Sequence, residues 1–207
     1  MANDIDINNI NSFHLDVLRE IGNIGAGNAA TALAKMLNKK IDMKVPQIRV
    51  MKFSEVSDVL GGAETEVAGI LLGVRGEING NILFVLDLLS ARILVNMLMG
   101  NPINKEIAFD SMECSALQEI GNILAGSYLS SLSNLTNLKI YADIPGLAID
   151  MAGAILSVPA IEFGKSSDTA LYIENEFTYG TDSVIGDFFL VPDEASYGRL
   201  LNALGVA

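Results

Sequence analysis

Apolar residues recur along this 207-residue chain with periods of about 3.6 and about 2, which predict helices and strands respectively. Residues 12–38 show the helical period, with Ser12 placed as a helix N-cap. The Asn79–Gly80 step separates two alternating segments and predicts a hairpin, because both residues tolerate positive φ. The elements predicted for the first half are helix 12–38, strand 41–52, short helix 54–60, strands 66–77 and 80–87, and helix 88–99.

The second half repeats this order of elements. Asp110 and Glu113 are spaced as a capping box at the start of its long helix. The predicted elements are helix 111–136, a strand ending at Pro145, short helix 147–157, strands 169–178 and 183–191, and helix 193–204. Each half is therefore predicted to be an α-β-α-β-β-α unit.

This order of elements predicts the α+β class. A strand followed directly by a hairpin favours antiparallel pairing, and three strands alone would bury little apolar area. We therefore expect a single domain over residues 1–207, made of two internal repeats at about 12–100 and 111–207 with pseudo-twofold symmetry. The strands of both repeats are expected to form one continuous antiparallel sheet flanked by helices.

The duplication is also visible in the residues themselves. Residues 15–46 align without a gap with residues 114–145, at a constant shift of 99. Thirteen of these 32 positions are identical, which is far above chance. Two copies of a unit this long indicate a duplicated half-domain, because solenoid repeats have periods of about 20 to 50 residues.

Composition excludes several kinds of function. A net charge of -12 makes nucleic acid or an anionic membrane surface an improbable partner. The single Cys114 excludes an intrachain disulfide, and the single His14 excludes a two-histidine metal site within the chain. The polar start of the chain and the lack of an apolar run of about 20 residues predict a cytoplasmic protein without membrane insertion.

The stretch EIGNIGAGNAA, residues 20–30, resembles a glycine-rich phosphate loop, but its details differ. Its glycines follow the order G-x-x-G-x-G without a preceding strand, and no Gly-Lys-Ser/Thr ends it. The second copy also has Leu124 in place of Gly25. We therefore expect no nucleotide here, and expect Gly22 and Gly121 to allow close packing against the sheet or the other helix.

Both copies carry a polar stripe on an otherwise apolar helix. Its members lie within about 60° of one another around the helix axis. They are Asp16, Glu20 and Asn23 in the first copy and Ser115, Glu119 and Asn122 in the second, followed by Gly27 and Gly126. A solvated helix face is the simplest interpretation of one such stripe. Its retention in both copies, while neighbouring surface residues have changed, favours a functional surface.

The repeated pattern is [Asp/Ser]-x3-Glu-x2-Asn-x22-Pro. It occurs at Asp16, Glu20, Asn23 and Pro46, and again at Ser115, Glu119, Asn122 and Pro145. This pattern resembles the signature of the CheC/CheX/FliY family of chemotaxis phosphatases. Two such sites in one chain resemble the CheC branch, because CheX proteins typically keep one site per chain.

The resemblance implies hydrolysis of the aspartyl phosphate of phospho-CheY, a response regulator. Asn23 and Asn122 would orient the attacking water, and Glu20 and Glu119 would contact the regulator's lysine. The implied enzyme needs no cofactor of its own, since the receiver domain supplies Mg²⁺. The remaining motif residues are expected to support the site: Asp16 and Ser115 by partner contacts or by hydrogen bonds along the first turn, and Pro46 and Pro145 by setting the strand path. Differences between the two copies near the motif predict unequal activity of the two sites.

The alternative function is binding without catalysis. The resemblance implies CheD, a receptor deamidase, as a partner. A candidate surface is GLAIDMAGAIL at residues 146–156, predicted to be a short helix that carries Asp150 among small and apolar residues. Packing of this helix on the sheet explains the same pattern equally well. A flagellar switch component is a third possibility.

Overall fold

A computed structural model describes residues 12–44, 47–101, 108–163, 169–179 and 182–205. Two long helices of equal length begin the two halves at the predicted positions. The helices are α1 (Ser12–Leu37), α2 (Val56–Val59), α3 (Leu88–Met99), α4 (Ser111–Thr136), α5 (Ala152–Phe163) and α6 (Glu194–Ala203). The strands are β1 (Asp42–Met43), β2 (Gln47–Lys52), β3 (Glu66–Gly76), β4 (Gly80–Asp87), β5 (Ile140–Ala142), β6 (Gly146–Met151), β7 (Thr169–Tyr179) and β8 (Asp182–Pro192).

As expected from the sequence, the strands form one continuous antiparallel sheet. The strand order is β1-β7-β8-β4-β3-β5. β2 also pairs with β7, and β6 also pairs with β3. The first strand of each half is therefore split into two segments that pair with the same neighbour. In the second half the break falls at residues 143–145, where Pro145 has no N–H to donate to the ladder.

The registers of the strands place the pseudo-twofold axis at the centre of the sheet. Phe84 pairs with Ile70 within the first half, and Phe188 pairs with Ile173 at the equivalent positions of the second. Phe84 and Phe188 are themselves partners across the central β4–β8 pair, with ring centroids 6.3 Å apart. The axis therefore passes between these two phenylalanines.

The two halves exchange their first strands. β2 of the first half pairs with β7, with Ile48 opposite Ile173. β6 of the second half pairs with β3, with Leu147 opposite Ile70. Because each outer strand lies on the hairpin of the other half, neither half contains a complete three-stranded sheet of its own.

Helices cover both faces of the sheet. One core lies between the sheet and α1, α3 and α4, with Phe84 and Phe188 near its centre. A smaller core on the opposite face includes Val56 of α2 and Ile155 of α5. No helix in the described ranges is both long and apolar enough to cross a bilayer.

The structure corrects two local predictions. Residues 146–151 form strand β6 instead of the start of a helix, so Asp150 lies on a sheet edge, opposite Val67. The hairpin predicted at Asn79–Gly80 is present, with positive φ at Gly76 (117°) and at Gly80 (158°), whereas Asn79 does not take a positive φ. A Cβ atom at Gly76 would overlap the carbonyl oxygen of Lys139, so the turn requires glycine.

Candidate functional site

The two motif helices lie directly on the sheet because each has a glycine at the contact. A Cβ atom at Gly22 of α1 would overlap Cδ1 of Ile48 on β2. A Cβ atom at Gly121 of α4 would lie 2.7 Å from Cγ2 of Ile70 on β3. These glycines bring the helix axes close to the strands and turn the opposite faces of the helices outward.

The two motif helices pack closely because small residues on α1 face large residues on α4. A Cβ atom at Gly25 would lie 2.5 Å from Cδ1 of Tyr128, whose ring stacks on Phe188 at a centroid distance of 4.6 Å. Symmetry relates this pair to Leu124 and Ala29, which are both buried. The replacement of Gly25 by Leu124 in the second copy thus fits the packing between α1 and α4, since in both pairs the small residue is on α1 and the large one on α4.

Polar groups also connect α1 and α4. Nδ2 of Asn28 donates a hydrogen bond of 2.9 Å to Oγ of Ser131. The buried hydroxyl of Tyr128 donates to Oδ1 of Asn175 on β7. With the Gly25–Tyr128 contact, these bonds hold the two motif helices side by side above the sheet.

The structure places the motif side chains on the outer surface of these helices. Glu20, Asn23 and Glu119 are exposed, and Asn122 is half-buried. None of the four accepts or donates a side-chain hydrogen bond within the described part of the chain. Gly27 and Gly126 follow one turn later with no atom within 4 Å of a Cβ position. Each Glu–Asn pair therefore stands on an open surface with its polar groups available to a partner.

The remaining motif residues have local roles. Asp16 accepts a hydrogen bond of 2.9 Å from Arg19, and Oγ of Ser115 donates to the carbonyl of Ser111 at 2.9 Å. The carbonyl of Pro145 accepts a 3.2 Å bond from Nε2 of Gln118, the residue beside Glu119. Pro145 thereby ties the broken edge strand to the motif helix, whereas Pro46 lies outside the described residues.

The start of α4 is held by a buried ion pair that the sequence did not indicate. Asp110 and Glu113 form the predicted capping box. Arg92 of α3 donates to the Glu113 carboxylate and to the carbonyl of Ala108, and its guanidinium lies 4.2 Å from the ring centroid of Phe109. The hydrogen bond from Arg92 lowers the pKa of Glu113 below its usual value, assisted by the backbone bond from Asp110.

The chemistry available at this surface is that of carboxamides and carboxylates. A carboxamide donates and accepts hydrogen bonds at once but does not act as a general base. Over the described ranges, no three or more His, Cys, Asp or Glu side chains are grouped to hold a metal ion. The expectation that the protein has no cofactor of its own remains a prediction.

Comparison with known proteins decides the family. The CheC-like family matches residues 13–49 and 112–145, which contain both copies of the motif. The chain is 38% identical to the CheY-P phosphatase CheC of Bacillus subtilis over 204 residues, covering 97% of this chain and 98% of the relative. The chain belongs to the CheC-like family.

Solved structures share the fold of this family member. The crystal structure of Thermotoga maritima FliY superposes with a TM-score of 0.77 at 23% identity, covering 95% of this chain and 98% of the other. The CheX–CheY–BeF3–Mg²⁺ complex from Borrelia burgdorferi has a TM-score of 0.53 at 18% identity, covering 82% of this chain and 95% of the other. At these identities the likeness concerns the fold, including its duplicated halves.

Proposed function

We propose that the protein hydrolyses the aspartyl phosphate of a phosphorylated CheY-type response regulator at two sites, one on α1 and one on α4. The observation that carries this proposal is the pair of matched Glu–Asn sets on an open helix face. Glu20, Asn23 and Glu119 are exposed, Asn122 is half-buried, and none of them makes a side-chain hydrogen bond to another described residue. The relative that is 38% identical is named a CheY-P phosphatase, and the neighbouring CheX structure contains CheY, which supports the same substrate.

The proposed role of Asn23 and Asn122 is to orient water. An acyl phosphate is already activated, and the receiver domain supplies Mg²⁺ and a lysine to its phosphoryl group. Hydrolysis then depends on a water molecule held in line with the phosphorus, which is the role of a positioning glutamine in GTPases. The carboxamide can accept a hydrogen bond from the water and donate one to the phosphoryl group at the same time.

The proposed role of Glu20 and Glu119 is to orient the substrate. Each lies three residues before its asparagine, so both side chains project from one face of the helix. A carboxylate here can pair with the receiver's lysine, and Gly27 and Gly126 leave space for close approach. This division predicts that Glu substitutions raise KM, whereas Asn substitutions lower kcat.

The proposed activity is tested by the decay of a phosphorylated CheY-type receiver with Mg²⁺ present. Wild type, Asn23→Ala, Asn122→Ala and the double variant are compared at equal concentration. We expect each single variant to keep part of the acceleration, and the double variant to lose a factor of about 10² to 10³. Equal decay with wild type and without any enzyme would exclude the phosphatase function.

A second candidate function is the binding of a CheD-type deamidase along the edge strand β6. Within the described residues β6 pairs only with β3, and five of its six residues are exposed. Ile149 and Met151 are 39% and 47% exposed, and nearby Ile144 is 91% exposed. The equivalent strand β2 carries Arg49 and Lys52, charges that discourage edge-to-edge pairing. The β6 edge carries one charge, that of Asp150, and is otherwise apolar, which is typical of a surface that receives another protein.

The variant Asp150→Lys tests this second function. Asp150 is exposed at the centre of the edge, and charge reversal there should weaken CheD binding at least tenfold while phosphatase activity is retained. Asp58→Lys on α2 makes the same charge change away from β6 and serves as the control. Unchanged CheD affinity in Asp150→Lys would exclude this strand as the binding surface.

A further inference from the structure

A shallow groove lies beside the last turns of α1. Helix α1 ends in a Schellman motif, in which Lys39 N–H donates to the Ala34 carbonyl at 3.1 Å and Asn38 N–H donates to Lys35 at 3.3 Å. Asn38 takes the left-handed conformation, with φ of 48°, and the chain folds back along the helix. The resulting groove has a volume of about 580 Å³. It is lined by Ala30, Thr31, Ala34, Lys35, Asn38, Lys39, Lys40 and Ile41.

The groove has the opposite charge to the rest of the molecule. Residues 35–52 contain six of the 13 basic residues of the chain and one of its 25 acidic residues. This segment therefore carries a charge of +5 (six minus one) in a chain of net charge -12. Lys35, Lys39 and Lys40 line the groove itself, and Nζ of Lys40 lies 3.1 Å from Oδ1 of Asp42.

The groove continues the face of α1 that carries the motif. Ala34 follows Asn23 by eleven residues, or three turns, and lies within about 20° of it around the helix. Lys35 is about 18 Å from Asn23 along the helix axis, at a rise of about 1.5 Å per residue. A standard interface buries about 800 Å² on each partner, a patch of about 16 Å radius. Ala30 and Thr31, at the near end of the groove, are about 10 and about 12 Å from Asn23 along the axis, so a domain seated on Asn23 covers that end of the groove and has its rim beside Lys35.

We propose that Lys35, Lys39 and Lys40 form a docking surface for an acidic face of the phosphorylated receiver domain at the α1 site. The inference rests on the proposed phosphatase function and adds a feature to it. The phosphoryl group of the substrate carries a charge of about -1.5 to -2 at pH 7, so a protein of charge -12 repels it at long range. Positive charge at the rim of one site offsets this repulsion, raises the association rate and makes binding dependent on salt.

The two sites differ in the number of basic residues beside them. The residues of the second half equivalent to Lys35 and Lys39 are Asn134 and Leu138, and only Lys139 matches Lys40. The α1 site therefore docks the receiver by charge, whereas the α4 site depends on short-range contacts. Unequal salt dependence of the two sites follows directly from this difference.

The test uses full-length protein with Glu119→Ala and Asn122→Ala, so that only the α1 site is intact. In this background Lys35→Gln/Lys40→Gln is compared with Lys139→Gln/Arg199→Gln, which removes the same charge from the other half. Affinity for the beryllofluoride–Mg²⁺ form of the receiver is measured at about 50 mM and about 500 mM salt, where the screening length falls several-fold. Decay of the phosphorylated receiver is measured in parallel.

We expect Lys35→Gln/Lys40→Gln to weaken binding about three- to tenfold at low salt and to flatten the salt dependence, with the control pair unchanged. Equal affinities of the two double variants would overturn the docking surface, even if the phosphatase activity is intact. If binding changes as expected and no protein accelerates decay, the docking surface stands and the proposed function fails.

Discussion

Glycine has opposite roles at two positions of the motif helix α4. Gly121 is buried against the side chain of Ile70, so a larger residue there must displace that side chain. Gly126 is exposed, with no atom within 4 Å of a Cβ position. One glycine sets the height of the helix above the sheet, and the other keeps its outer face low for a partner.

These roles predict opposite effects of the same substitution. Gly121→Ala should lower the free energy of unfolding by about 1–2 kcal/mol, because overpacking outweighs the gain in helix propensity. Gly126→Ala should raise it by about 0.5–1 kcal/mol, since only the helix propensity changes. Urea denaturation of both variants measures the difference. Equal stabilities of the two variants would contradict the packing role of Gly121.

Asp187 makes the stability of the fold depend on pH. Burial raises its pKa to about 6, from a usual value of 3.8. The Tyr172 hydroxyl donates a hydrogen bond of 2.8 Å to Oδ1 of Asp187, which lowers this pKa, as does the positive charge of Arg49. The negative charges of Glu174 and Asp87 raise it. The folded protein therefore holds a proton at pH values where the unfolded chain has lost it. Stability from this group is complete below about pH 4 and is lost as the pH rises through about 6.

The variant Asp187→Asn should remove this dependence. A shift of about two pKa units corresponds to up to about 3 kcal/mol, so the variant should be more stable than wild type at pH 7.5 by up to that amount. Thermal unfolding between pH 4 and pH 8 measures the effect, and Asp58→Asn on the surface of α2 controls for the loss of one charge. If the stability of the wild type rises between pH 4 and pH 6.5, and that of Asp187→Asn rises in the same way, Asp187 does not have this role.

Among the elements, α3 positions the start of α4 through Arg92. The Arg92 side chain is 3% exposed and that of Glu113 is 15% exposed, so their ion pair lies largely out of water. On the surface, Arg75 and Asp143 form a pair of 2.6 Å whose side chains are 72% and 43% exposed. Removing one partner of a buried pair leaves an uncompensated charge, whereas an exposed partner is replaced by water.

Arg92→Ala should therefore lower the free energy of unfolding by about 3–5 kcal/mol, and Arg75→Ala by less than about 1 kcal/mol. Chemical denaturation measures both values. Hydrogen exchange in the first turns of α4 should also accelerate in Arg92→Ala, because the capping residue Glu113 loses its anchor. Similar losses of stability in the two variants would show that the buried pair does not hold α4 in place.

The elements also show what the sequence could and could not predict. Helix α4 was predicted over 111–136, as observed, because its capping box and apolar period are local signals. Strand β6 was predicted as the start of a helix, because its strand state depends on pairing with β3, about 80 residues earlier in the chain. The contact of Gly25 with Tyr128 was missed for the same reason, since it joins two distant positions. Helix geometry did predict the packing of Gly22 and Gly121 and the shared helix face of each Glu–Asn pair.

The whole molecule is held together by the exchange of outer strands between the halves. β2 completes the sheet of the second half, and β6 completes that of the first. The central β4–β8 pair then joins both hairpins. The sequence predicted a shared sheet from the small area that three strands bury, but it could not show which strands pair across the halves.

Separate fragments 1–107 and 108–207 should therefore fail to fold alone and should reassemble when they are expressed together. Each fragment lacks an outer strand and exposes a hairpin edge that the other one covers. Size-exclusion chromatography and circular dichroism measure both outcomes. A monomeric, cooperatively unfolding fragment 108–207 would contradict the interdependence of the halves.

The central claim is that Asn23 and Asn122 act on water and contribute little to docking of the substrate. The measurement that tests it most directly compares affinity and turnover in the Asn23→Ala/Asn122→Ala variant. Affinity is measured with the beryllofluoride–Mg²⁺ form of the receiver, and turnover is measured as the dephosphorylation of the phosphorylated receiver. The account predicts affinity within about twofold of wild type and decay at the spontaneous rate. Decay that remains accelerated, or affinity lost in proportion to turnover, would contradict it.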